Sequence, residues 1–323
     1  SSTTSDVKKF IEELKGDKVD GIVIDLRDNG GGSLGEVIRM VGLFMKEGPV
    51  VQVKARDAEP EADGVKNKSI LYDGPLVVLV NEYSASASEI FAAAIQDYKR
   101  GVIVGSANTY GKGTVQRAYS VPGKDPKAKD LDLGTLHLTI QKYYRVNGGA
   151  TQIKGVSPDI VLPGFNKLSH VQERYNPNAL AWDTIRQALY SPAADTGYIS
   201  VLRMKSEQRV RLDTNFRNLS TNIDWLDNSR SIYSLQIDKY RENRNQLNKA
   251  IREVRSSSSL KTELSVHNTK EDADAIAQKE TFRKENNRFW INSLKKDIYL
   301  GEAVSVLKDL LTTVHGYAYA QPQ

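Results

Sequence analysis

Two short runs of apolar residues, GIVIDL at 21–26 and LVVLV at 76–80, pass without a spacer into segments rich in glycine, serine and polar side chains. A strand with no polar face must be covered on both sides, so such runs belong inside a layered core. The polar residues that follow then sit at strand ends, where functional groups collect.

The pattern around these runs predicts alternating helices and strands. An amphipathic helix is expected over 7–15, a helix over 34–45 after the glycines, and a helix of small residues over 86–98. Further strands are expected at 50–53 and 102–104. Residues 121–134 read as a polar loop, residues 135–146 return to an extended pattern, and the core closes near Pro163. From about Leu180 onward the pattern becomes that of long charged helices, clearest over 232–255 and 272–299, with a solvated serine run at 256–259 between them. No internal repeat is visible. With 323 residues and 39% hydrophobic content, the chain divides into an α/β core over 1–165 and a mainly helical region over 166–323.

Composition removes several function classes. Lys and Arg exceed Asp and Glu by only 45 to 40, which gives no dense basic patch and implies no nucleic acid. The absence of cysteine excludes disulfides, zinc thiolates and a thiol nucleophile. No stretch approaches the roughly 18 apolar residues of a membrane span, and the first residues lack the layout of a signal peptide.

Three segments could carry chemistry: RDNGGGS at 27–33, NEYSASASE at 81–89 and YGKGTVQ at 110–116. Ser84, Ser86 and Ser88 lie between a strand and a helix, where a turn can expose a hydroxyl. Ser86 with Glu89 also fits a capping box, and the two readings are compatible because a helix N-terminus favours a developing oxyanion. A serine nucleophile needs a base. Of the histidines only His137 falls in the core half, in the middle of an alternating strand, where a structural role is expected. Lys112, flanked by glycines, is either a surface loop lysine or that base. At an ordinary pKa of about 10.4 a lysine is neutral only about 0.04% of the time at pH 7, so a base role demands burial. Gln116, four residues on, is a neutral partner able to orient the amine. A backbone amide from Gly30, Gly31 or Gly32, paired with that of Ala87, would make an oxyanion hole. Neither the G-x-G-x-x-G nor the Walker spacing is met, so a nucleotide is not indicated.

Taken together, VIDLRDNGGGS, NEYSASASEIFAAAIQDY, YGKGTVQ, TIQKYYRVNGG and KGVSPDIVLP resemble the carboxyl-terminal processing peptidases, and most closely their tail-specific branch. NALAWDTI at 178–185 is the best match in the tail. The resemblance implies a mixed βαβ spiral of the ClpP and crotonase type, and an endopeptidase with Ser86 as nucleophile, Lys112 as general base and Gln116 orienting the lysine. It further implies Gly32 and Ala87 as oxyanion-hole donors and no cofactor or metal. The expected substrates are unfolded proteins or proteins with exposed apolar C-termini. The helical region would meet an adaptor or lipoprotein, and the location would be the periplasm or cell envelope. Family members carry a PDZ domain, and no PDZ-like segment is visible in this chain. The stretch from Gly105 to Lys112 is one residue longer than the family pattern. Two other readings are a peptide- or protein-binding module without catalysis and a crotonase-like acyl-CoA enzyme.

Overall fold

The computed structural model describes residues 2–121, 133–193, 197–229 and 234–319; most of the polar loop expected at 121–134 and the first residues of the helix expected at 232–255 lie outside them. In chain order the core runs α1 (Thr3–Gly16), β1 (Ile22–Asp25), α2 (Leu34–Val41), β2 (Glu47–Ala55), β3 (Glu61–Lys66), β4 (Leu76–Val80), α3 (Ala87–Asp97), β5 (Val102–Gly105), β6 (Thr114–Ser120), β7 (Thr135–Tyr144) and β8 (Ile160–Val161). The helices that follow are α4 (Asn166–Ser169), α5 (Tyr198–Leu212), α6 (Thr214–Ser229), α7 (Ile237–Ser257), α8 (Lys270–Ala277), α9 (Thr281–Lys296) and α10 (Ile298–Tyr319). The expected α/β core with a helical C-terminal region is the architecture observed.

The four shortest apolar strands form a parallel sheet in the order β1-β4-β5-β8. In the two central strands, β4 and β5, side chains alternate between two covered faces, which is why those runs contain no polar position. Leu76, Val78, Val80 and Ile103 pack with Val41, Phe44, Phe91 and Ile95 of the α2 and α3 side. Val77, Leu79, Val102 and Val104 instead meet Leu202 of α5 and Ala303, Val306, Leu307 and Leu310 of α10. The second face of the core sheet is thus covered by helices from beyond residue 166. Arg209 of α5, paired with Glu302 at 2.8 Å, ties those two helices together.

A second, antiparallel sheet has the order β3-β2-β7-β6. Strands β3 and β6 escape the sequence pattern because most of their residues are exposed and no alternation marks a buried face. Helix α1 begins earlier than expected, since Ser2 caps it by accepting the Ser5 amide. Helix α2 stops at Val41 with Gly42 as its cap, although Phe44 and Met45 beyond it are buried.

In the C-terminal half the structure corrects three expectations. Residues 180–193 are not helical but form a strap along the core, with Ile185 N–H donating to Gly148 O and Ala188 N–H to Val146 O; helices resume only at α5. The pattern over 272–299 is broken into three helices. Asp297 is extended and its Oδ1 accepts the Tyr299 and Leu300 amides at 2.9 and 3.0 Å, which ends α9 and starts α10. The serine run is not uniformly solvated: Ser257 is buried and Ser258 Oγ donates back to Val254 O. Among the described residues, no helix is long and apolar enough to cross a membrane.

Candidate active site

Strand β4 ends at Val80, and the chain must turn sharply before α3 begins at Ala87. Ser86 is at the head of that turn as the N-cap of α3, with φ +56° and ψ −115°. A non-glycine residue in this region carries strain of about 1–3 kcal/mol, which the surroundings must hold in place. A serine on such a strand-to-helix turn has its hydroxyl pushed out of the sheet edge.

The neighbouring serines have other work. Ser84 Oγ donates to Leu26 O at 2.7 Å and accepts the Asn81 amide at 3.0 Å. Ser88 Oγ donates to Asn29 O at 3.0 Å. Both hydroxyls tie the serine turn to the loop after β1, and of the three serines it is Ser86 that lines the cavity shared with Lys112.

That cavity, of about 310 Å³, lies between the end of the parallel sheet and the antiparallel strands β6 and β7. Gly32, Ser86, Ala87, Lys112 and Gln116 all line it, so the fold brings together the five residues singled out in the sequence. Among the described residues the Gly32 and Ala87 amides make no hydrogen bond to protein and are available to a bound oxyanion. The glycine that packs on the serine turn is Gly31, at φ +94°, where a Cβ would come within 2.5 Å of Ala85 O and 2.8 Å of Ser86 Cβ. A Cβ on Gly32 would meet nothing within 4 Å. Gly31 therefore permits the approach of the loop, and Gly32 follows it into the cavity.

Lys112 is half-buried on a loop whose backbone is held at successive residues. Glu89 Oε1 accepts the Gly111 amide at 2.7 Å, Glu89 Oε2 accepts the Lys112 amide at 3.0 Å, and Gln152 Oε1 accepts the Gly113 amide at 2.8 Å. The phenol of Tyr143 donates to Lys112 O. Gly111 and Gly113 allow this contact, because a Cβ on either would come within 2.8 Å of the backbone at residues 152–153. Lys112 reaches the cavity that holds Ser86.

Glu89 and Tyr143 are the residues that sequence reasoning missed. Glu89, 0% exposed, was legible only as the partner in a capping box, and Oε2 does accept the Ser86 amide at 2.8 Å. The same carboxylate also takes the Thr109 hydroxyl at 2.5 Å, so one buried acid fixes both the serine turn and the lysine loop. Burial pushes its pKa up to about 7, against the four hydrogen bonds that favour the charged form. Tyr143 lies fully buried beside the Ser86 hydroxyl, its pKa raised well above the ordinary value by burial and then by the charge of Glu89. Strand alternation could not have marked it, because the adjacent Tyr143 and Tyr144 are both buried. His137, expected to be a structural histidine, is instead exposed on β7 and lines the cavity, because that end of the strand is not covered by a second layer.

The sequence profile of peptidase family S41 matches residues 1–162, half of the chain. The chain belongs to peptidase family S41. A second profile, the C-terminal domain of tail specific protease, matches residues 167–312. This S41 chain is 45% identical over 220 residues, 66% of its length, to the tail-specific protease of Haemophilus influenzae. It is 35% identical over 165 residues to the carboxy-terminal-processing protease of Bartonella bacilliformis. The matches span only 31% and 36% of those two proteins. Among solved structures, the photosystem II D1 C-terminal processing protease is similar over 50% of this chain and 39% of its own, with 32% identity and a TM-score of 0.39.

Proposed function

We propose that this S41 chain is a serine endopeptidase in which Ser86 Oγ attacks the scissile carbonyl and Lys112 Nζ takes the hydroxyl proton. The observation that carries the reading is the single cavity shared by Ser86, Lys112 and the free amides of Gly32 and Ala87. The two amides bind the oxyanion of the tetrahedral intermediate. Collapse of that intermediate breaks the C–N bond, and the proton held on Lys112 goes to the departing amine. Lys112 then deprotonates a water that attacks the ester, and as the bond from the acyl carbon to Ser86 Oγ breaks the lysine returns that proton to the serine. Gln116 orients the lysine. Glu89 is a positioning residue, since it holds the backbone at Ser86 and Lys112 rather than the reacting atoms, whereas Tyr143 holds the Lys112 carbonyl and also stands beside the Ser86 hydroxyl.

As for substrates, the resemblance to tail-specific and carboxy-terminal-processing proteases favours proteins with exposed apolar C-termini in the cell envelope, with the helical region meeting an adaptor or lipoprotein. Hydrolysis of an unfolded protein such as a casein tests the activity. Loss of turnover in Ser86→Ala and Lys112→Arg, with His137→Gln still active, is the expected outcome, because arginine keeps the charge but cannot deprotonate. Substantial turnover in Lys112→Arg together with its loss in His137→Gln would transfer the base role to the histidine and overturn the serine-lysine mechanism.

A further inference from the structure

A second cavity, of about 490 Å³, opens on the other side of the serine turn, between the core and the helical region. Its walls include Arg27, Glu82, Ser106, Phe165, Leu168 and Tyr299. Glu82 belongs to the NEYSASASE segment, yet the proposed mechanism makes no use of it. The residue is 3% exposed, and the hydrogen bond it makes is from the Ser106 hydroxyl, at 3.0 Å. None of the ion pairs among the described residues includes Glu82. Arg27, the cation in the same wall, is already held by Asp25 and Asp297, each at 2.7 Å. A cationic ligand would give this buried carboxylate a charged partner.

The remaining walls specify what kind of cation. Phe165, Leu168 and Tyr299 offer apolar and aromatic surface, which suits an aliphatic stem and a delocalised or ammonium head beside a ring. Phe165 and Tyr299 also line an adjoining cavity of about 480 Å³ that contains Phe289 and Lys296. Because the two cavities share the Phe165 and Tyr299 wall, a ligand longer than one small cation has room to extend from the first into the second.

We infer that the Glu82 cavity binds a lysine or arginine side chain carried on a polypeptide, with Glu82 as its anionic partner and Phe165 and Tyr299 as its walls. This deepens the peptidase reading, on which it rests for supposing that polypeptides are the ligands: the protein gains a preference for basic residues at a point away from Ser86.

The experiment reads direct binding in the Ser86→Ala chain, so a parent chain that proves unable to cleave would leave its result standing. A fluorescent unstructured peptide with one arginine is compared, by anisotropy, with the same peptide carrying neutral citrulline. The arginine peptide should bind about tenfold more tightly, and adding Glu82→Gln should abolish the difference. Should Glu82→Gln melt early, Phe165→Ala provides a second variant and should reduce the preference severalfold. Equal binding of the two peptides, or a preference that survives in folded Glu82→Gln and Phe165→Ala, would overturn the site. Agmatine alone binding as tightly as the peptide would overturn its assignment to a polypeptide.

Discussion

Glu89 Oε2 accepts the backbone N–H of Lys112 at 3.0 Å, and the same oxygen holds the amide of Ser86 at 2.8 Å. One carboxylate, buried inside α3, thereby sets the separation between the segments assigned as nucleophile and base. Its state of charge should govern how well they are held.

Folded, Glu89 has its pKa raised from 4.5 to about 7, so the native state prefers the protonated form. The stabilising contribution is complete below about pH 4.5 and is lost as pH rises through about 7. Denaturant melts of the parent chain and Glu89→Gln should therefore show a stability difference that moves in favour of the variant across that window. The ionised form is the better acceptor for four donors, so kcat/KM of the parent should climb over the same range while Glu89→Gln stays low. A difference in stability that is flat with pH would mean that Glu89 does not titrate there.

The three serines should separate cleanly. Ser86→Ala is expected to abolish hydrolysis with a stability change of about 1 kcal/mol, because its hydroxyl faces the cavity. Ser84→Ala leaves Leu26 O and the Asn81 amide without their buried partner and should cost about 1–3 kcal/mol while retaining measurable turnover. Ser88→Ala should resemble Ser84→Ala. Thermal melts beside initial rates check both halves, and a dead but stable Ser88→Ala would show that the nucleophile had been assigned to the wrong serine.

Adjacent glycines should respond oppositely to alanine. Gly31→Ala forces a Cβ to 2.5 Å from Ala85 O at a φ of +94°, so it should lose about 1–3 kcal/mol and most activity. Gly32→Ala has open space around it and should stay within about 0.5 kcal/mol of the parent. Melting both variants decides the matter; equal losses would contradict the packing of Gly31 on the serine turn.

Deleting everything after His170 keeps every residue assigned to catalysis but uncovers Val77, Leu79, Val102 and Val104, which are 0% exposed in the intact chain. The fragment should aggregate or bind a hydrophobic dye rather than melt cooperatively. Within the full chain, Leu310→Ala should cost about 2–5 kcal/mol although it is far along α10. A fragment of 170 residues that melts as a monomer would show that the core closes without its helical cover.

Much of the site was written locally. The apolar runs that end in glycines and serines, the capping relation of Ser86 with Glu89, and the glycines around Lys112 are patterns within a few residues, and the structure places all three segments around one cavity. What the sequence could not decide was which groups the intervening chain would bring into contact. That Glu89 would bond residues 111 and 112, that Tyr143 would reach Lys112 O, and that α10 would cover the far face of β4 depend on contacts between residues 22 to more than 200 positions apart. Side-chain periodicity reports which face of an element is buried, not what buries it. Only tertiary packing selects the partner, because the desolvation of Glu89 and of the sheet is compensated by groups that lie nowhere near them along the chain.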